Sequence, residues 1–256
     1  MVAADPKLFV LVLTEDNGRD AFATVQALTK KLLVYLEPRC DTHRIAFTPA
    51  NDEARDVLVA NQYTNRRDPR RRRLYEVIAA QLRLGDGFVV HHFDADRTWK
   101  QRDPDAPLDA KPIQRDILDH VRAVLRHNEI EETDIDAMLS RYVRLVPYPE
   151  IEAWLYQNTE HALARACRRL QCGCTARLEA WAADRGLLDE LSNPPAALPC
   201  VGKRHNLALV QAFPTAAVYA AGKSLAAAVD AMFACDALLH AIERTYQPPT
   251  SEATSA

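Results

Sequence analysis

Residues 8–14, LFVLVLT, form an unbroken apolar run, the pattern of a strand buried on both faces of a parallel sheet. From 18 to 36 the period changes to that of a helix, with Phe22, Val25, Leu28, Leu32 and Leu36 on one stripe. RIAFT (44–48) is a short second strand, and Asn51 or Asp52 can cap a helix running to about residue 61. After an Arg-rich stretch at 66–73, LYEVIAAQLRL (74–84) is helical and stops at GDG (85–87). FVVHHF (88–93) is a third strand, followed by a polar loop rich in Asp and Pro (102–109). A helix over 112–128 and a fourth strand, YVRLVPY (142–148), complete this half. Strands alternating with helices predict an α/β fold with a parallel, doubly wound sheet of about four strands.

The pattern changes after Pro149. From there to about residue 246 only helical stretches occur: EIEAWLYQ, ALARACRRLQ, ARLEAWAADRGLLDEL, HNLALVQAF and SLAAAVDAMFACDALLHAIERTY. NPPAALP (193–199) breaks this part in two. The expected organisation is an α/β domain over 1–148, a helical region over 149–247 and a disordered tail over 248–256.

Composition narrows the class of protein. The chain has 256 residues, 48% of them hydrophobic and 26% charged, with net charge −3, so it can bury a core and is not strongly basic overall. No apolar run reaches the roughly 20 residues that span a bilayer, so no membrane association is expected. The segment MVAADPKLFVLVL lacks a basic stretch and a cleavage site, and reads as a first strand. Six cysteines scattered through the chain suit a reducing cytoplasm, and Cys167, Cys172 and Cys174 match no common zinc module.

Candidate chemistry sits where strands end, because open parallel sheets bind ligands at the carboxyl ends of their strands. The first strand runs into Glu15 and Asp16, the third into Asp94 and Asp96, and the fourth is followed by Glu150 and Glu152. If the first and third strands are neighbours, Glu15, Asp94 and Asp96 converge. Three packed carboxylates repel one another unless a cation lies among them. Mg²⁺ takes oxygen ligands, keeps several waters and can polarise a phosphate. The alternative is a set of turn-forming and capping aspartates with no ligand.

Glu15 after an apolar strand and Asp94-x-Asp96 after a later one resemble the signature of TOPRIM domains. That Mg²⁺-binding fold is shared by topoisomerases, primases and nucleases of the overcoming-lysogenisation-defect class. VPYPEIEAWLYQN (146–158) further resembles the E-x-E-A-W-L segment of the RloB-like group of prokaryotic defence-island proteins, often encoded beside an ATPase. Lys203 in VGKRHN and Lys223 in AAGKSL stand where that group carries lysines. The resemblance spans roughly residues 8–243. It implies a metal-dependent nuclease in anti-phage defence, with Mg²⁺ or Mn²⁺ held by Glu15, Asp94 and Asp96. It further implies that Glu152 is an extra ligand or orients a water, and that a partner ATPase or a second copy of the chain is engaged. The first motif departs from the usual Glu-Gly-small-Glu. Here Glu15 leads Asp16-Asn17-Gly18-Arg19-Asp20, which leaves open whether Glu15 acts alone or with Asp20, and whether the site is catalytic.

The remaining polar features each carry two readings. NRRDPRRRR (65–73) holds six arginines in nine positions. Arg66, Arg67, Arg70, Arg71, Arg72 and Arg73 can bind nucleic-acid phosphates, with Arg141, Arg144, Arg165, Arg168 and Arg169 as a possible extension, or form a solvated linker. Lys203 and Lys223 can meet a phosphate as point charges or lie in solvent. Trp154 fits the core of an amphipathic helix. His91 and His92 fall on opposite faces of the third strand, one able to reach the acids. The expected function is metal-dependent cleavage of nucleic-acid phosphodiesters. The alternatives are a non-catalytic adaptor for an ATPase and a phosphodiesterase or transferase acting on small nucleotides.

Overall fold

The computed structural model describes residues 7–16, 19–58, 68–104, 112–162 and 173–246. Four strands form one all-parallel sheet: β1 (Leu8–Thr14), β2 (Ile45–Pro49), β3 (Gly87–His92) and β4 (Tyr142–Leu145), in the order β2-β1-β3-β4. Val10 pairs with Phe47 on one side and with Phe88 on the other, and Val90 pairs with Val143. The chain first steps from β1 to β2 and then crosses back to β3 and β4. The direction of travel therefore reverses between β1 and β3, and at such a switch point the loops at the strand ends part and leave a crevice.

The central strands are buried on both faces because helices cover both. Six of the seven β1 residues and all of β3 are buried. Leu8, Val10, Val12, Phe88, Val90, Val143 and Leu145 face one core, and Leu11, Leu13, Val89 and Tyr142 face the other, as the two-residue period requires. The second core is closed by α2 (Asp52–Leu58), α3 (Arg70–Arg83), α4 (Pro112–His127) and α5 (Glu132–Leu139). The first takes Val25, Leu28, Leu32 and Leu33 of α1 (Arg19–Leu36) together with the C-terminal helices.

Those helices are short: α6 (Ile151–Leu155), α7 (Thr159–Ala162), α8 (Thr175–Ala183), α9 (Pro194–Ala197), α10 (Asn206–Gln211) and α11 (Thr215–Ala220). The longer α12 (Ser224–Phe233) and α13 (Asp236–Tyr246) follow, broken apart at Ala234 and Cys235. Trp154 of α6 is fully buried, and its indole N–H donates to Ser224 Oγ at 2.6 Å. Ser224 Oγ in turn donates to Asp189 Oδ1 at 2.7 Å. Burial raises the Asp189 carboxyl to about 7 against the opposing pull of the Ser224 bonds and Lys223. This chain of bonds fixes α6 against α12. No single described helix is long and apolar enough to cross a membrane.

Several sequence expectations shift at this level. Asn51, not Asp52, caps α2: its Oδ1 accepts from Ala54 N at 2.9 Å. Helix α3 begins at Arg70, four residues earlier than its apolar stripe. Asp68 starts it, with Oδ1 accepting from Arg70 N at 2.9 Å. The helix ends at Arg83, and the glycine that opens β3 is obligatory, because a Cβ on Gly87 would lie 1.9 Å from Gln81 O. The fourth strand is shorter than expected, since Pro147 and Pro149 lack the N–H that would extend a ladder. Helices α5 and α11 are additions to the elements expected from the sequence, and the proline-rich break contains the one-turn α9, capped by Asn193. The tail at 248–256 and most of ALARACRRLQ lie outside the described residues.

Candidate functional site

Where β1 and β3 end, the first bonds beyond the ladder tie the two acidic stretches together. Thr14 Oγ1 donates to Asp16 O at 2.6 Å and turns the chain. Glu15 then reaches across the switch point, its Oε2 accepting from Asp94 N at 2.9 Å. Beyond β3, Phe93 N, Ala95 N and Asp96 N donate to the carbonyls of Leu145, Pro147 and Pro149, so the two strand ends run on side by side. Asp96 sits at φ +54°, the left-handed region that Asp tolerates better than most residues. Asp94 Oδ1 accepts from Ile151 N at 3.0 Å and caps the start of α6, with His92 Nε2 also 3.3 Å from that oxygen.

A cleft of about 700 Å³ opens over these residues. Glu15, Asp16, Asp94, Asp96, Glu150, Glu152 and His92 line it from the strand ends and α6, and Asp20 and Thr24 from α1. Lys203, Arg204 and Asn206 close it from the turn that leads into α10. All four carboxylates singled out from the sequence, Glu15, Asp94, Asp96 and Glu152, therefore share one cleft. Asp20 joins Glu15 there. Lys203 faces the same space and is exposed.

The electrostatics are dominated by seven carboxylates opposed by two basic side chains. Half-burial, the neighbouring charges of Glu152 and Asp94, and more weakly Asp96, push the Glu150 carboxyl up to about 7, against the pull of Lys203. Glu152 is 1% exposed. One of its oxygens, Oε1, accepts from Asn206 Nδ2 at 2.7 Å, while Oε2 is buried with no hydrogen-bond partner. A buried carboxylate oxygen with no donor carries a penalty on the order of 1–3 kcal/mol or more, which a cation would remove. Among the described residues, no three His, Cys, Asp or Glu side chains form a ready-made metal cage. The carboxylates ring the cleft instead of meeting at one point, which suits an ion that keeps several waters.

The other sequence candidates have different fates. Arg66 and Arg67 lie outside the described residues. Arg70 is held by Asp68 at 2.6 Å and stands 3.6 Å from Asp56. Arg71 is 7% exposed and bonds to Tyr75 Oη and Asp116. Arg72 and Arg73 both face Glu76, at 2.9 and 3.7 Å. The four belong to a helix that covers the opposite face of the sheet from α1. Arg141 is drawn into structure as well, its guanidinium donating to the carbonyls of Leu84, Gly85 and Gly87 that follow α3. Lys223 does not line the cleft; its ammonium donates to Gly186 O at 2.7 Å and Glu190 Oε1 at 3.0 Å. His91 points away from the acids and shares a 2.5 Å hydrogen bond with Tyr142 Oη.

Asn206, Arg204 and Glu150 join the site beyond the residues that sequence reasoning selects for it. Glu150 is visible in the sequence as an acid after the fourth strand. Nothing in HNLALVQAF marks Asn206, whose role depends on a contact 54 residues away in the chain. Comparison of the chain with protein-family models, curated proteins and solved structures finds no match.

Proposed function

We propose that the chain is a TOPRIM-like, metal-dependent phosphodiesterase that cleaves nucleic-acid phosphodiesters, related to the RloB-like group and serving in anti-phage defence beside a partner ATPase. The observation that carries this reading is the gathering of Glu15, Asp94, Asp96 and Glu152 with Lys203 and Arg204 around one cleft at the sheet's switch point. Glu15, Asp94 and Asp96 are the residues that would hold Mg²⁺ or Mn²⁺. The metal, when bound, supplies Lewis-acid polarisation of a phosphate oxygen and a more acidic water.

The chain's own residues do the rest. Lys203 and Arg204 meet the negative phosphate from the opposite wall and position it. Asp94 cannot move freely, since it caps Ile151 and lies beside the Glu15 bond, so its carboxylate is held in place. Glu150, with its carboxyl near 7, is placed to take or give a proton near neutral pH.

A small-nucleotide phosphodiester is the second substrate reading, and a specific observation favours it. The cleft volume lies in the range of small-molecule sites, and Arg70, Arg71, Arg72 and Arg73 are engaged by neighbouring acids. The test is a cleavage assay with Mg²⁺ or Mn²⁺ on single- and double-stranded DNA, RNA and a cyclic dinucleotide, comparing wild type with Asp94→Asn/Asp96→Asn. The expected result is cleavage of at least one substrate by wild type only. Equal activity in the double variant would overturn the proposal.

A further inference from the structure

We infer that Arg97, Lys100, Arg102 and Arg185 form a basic track along which a nucleic-acid backbone runs away from the acidic cleft. The track starts at the cleft, since Arg97 directly follows Asp96. Lys100 lies on the 3-10 turn Trp99–Gln101, Arg102 ends that turn, and Arg185 opens the 3-10 turn Arg185–Glu190. The two turns pack together, with Lys100 N donating to Glu190 Oε2 at 3.2 Å. Thr98 N donates to Gln101 Oε1 at 3.0 Å and holds the first turn in shape.

The lack of counter-charge sets these four apart from the arginines of α3. Arg97 Nε and Arg185 Nη1 have no acceptor, and no described acid forms an ion pair with any of the four. Glu190, the acid that joins the two turns, is neutralised by Lys223 Nζ at 3.0 Å. The Arg102 guanidinium lies 4.1 Å from the centre of the Trp99 ring, a contact that holds it in place without cancelling its charge. Cations held on short, braced turns suit a repeated anion, and the phosphates of a nucleic-acid backbone are one. A long polyanion needs such help here. The seven carboxylates of the cleft repel it, and a divalent ion offsets only part of that charge. A cyclic dinucleotide confined to the cleft has no use for charges on these turns, so the track points to the longer substrate.

Because the track rests on the nucleic-acid form of the proposed function, binding is measured apart from cleavage. The anisotropy of labelled single-stranded DNA and RNA oligonucleotides is followed against KCl in EDTA, with Asp94→Asn/Asp96→Asn as the parent so that nothing is cut. Adding Arg97→Gln/Lys100→Gln/Arg185→Gln should weaken binding about 100-fold at ~0.1 M salt. It should also lower the slope of log K against log salt by about 2, as three lost phosphate contacts on a single strand require. Adding Arg70→Gln/Arg72→Gln/Arg73→Gln removes the same charge from α3 and should change binding less than about fivefold. The charge-keeping set Arg97→Lys/Lys100→Arg/Arg185→Lys should bind within about fivefold of the parent, which separates lost contacts from misfolding. Equal losses in the two glutamine sets reflect net charge alone and overturn the inference. It is overturned as well by binding indifferent to the first set, by binding that stays lost in the charge-keeping set, or by a parent that binds neither oligonucleotide. A loss confined to the first set, with a wild type that cleaves no phosphodiester in Mg²⁺ or Mn²⁺, leaves the track and overturns the proposed function. Wild-type cleavage with no such loss does the reverse.

Discussion

The arginine run at the start of α3 and the carboxylates of the cleft are both dense clusters of one charge, and the fold treats them in opposite ways. Each described arginine of the run has an acid beside it: Asp68 and Asp56 for Arg70, Asp116 for Arg71, Glu76 for Arg72 and Arg73. The cleft gathers seven carboxylates against two basic side chains and leaves a buried Glu152 oxygen without a donor. Charge density along the sequence is therefore a poor guide to a binding site. What counts is whether the fold supplies local counter-charge or leaves a deficit for a ligand to fill.

The largest expected effect tests the deficit itself. Asp94→Asn/Asp96→Asn should lower metal-dependent phosphodiester cleavage on the order of 100-fold or more. The melting curve should stay cooperative, because the amide that replaces the Asp94 carboxylate keeps an oxygen for Ile151 N. A second test concerns Asp189, a buried acid that is partnered and lies outside the cleft. Its carboxyl is raised to about 7 in the folded chain. The native state therefore holds a proton that the unfolded state has lost between about pH 4 and 7. On this group's account stability falls as pH rises through that window, by up to roughly 1.4 kcal/mol per unit. Urea unfolding of Asp189→Asn should show a flatter pH dependence than wild type over pH 4–7.

Arg71 sharpens the comparison from the basic side. Arg71→Ala should destabilise the fold by about 2 kcal/mol in chemical denaturation, because it removes a buried guanidinium that bonds to both Asp116 and Tyr75 Oη. The smallest effect is expected for Arg72→Ala and Arg73→Ala, exposed partners of Glu76. Each should change stability by less than about 0.5 kcal/mol and leave phosphodiester cleavage within twofold of wild type. A cleavage loss in these two variants comparable to that of the aspartates would break the contrast.

Much of the fold was legible because parallel sheets write themselves as apolar runs. LFVLVLT and FVVHHF are buried throughout or nearly so, and the stripe of α1 packs as its spacing requires. Helix α5 escaped because only Ile135 of its residues is buried, too few for a periodic signal. The start of α3 escaped because four arginines mask a helical turn that Asp68 nucleates. At the site, strand-end acids could be read because the sheet's topology decides where strand ends meet. Asn206 could not be read, since its meaning lies in a contact with Glu152 that only the packing of α10 on α6 creates. The likeness of Lys203 and Lys223 in sequence also concealed a difference. One faces the cleft, and the other is bound to Gly186 O and Glu190.

The most direct measurement is an anomalous difference map from crystals of the wild-type chain soaked in Mn²⁺. The expected result is a peak in the cleft bordered by Glu15, Asp94 and Asp96, absent from crystals of Asp94→Asn/Asp96→Asn. A saturating soak that leaves the cleft without a peak, or a peak that persists unchanged in the double variant, would contradict a metal centre built on those residues.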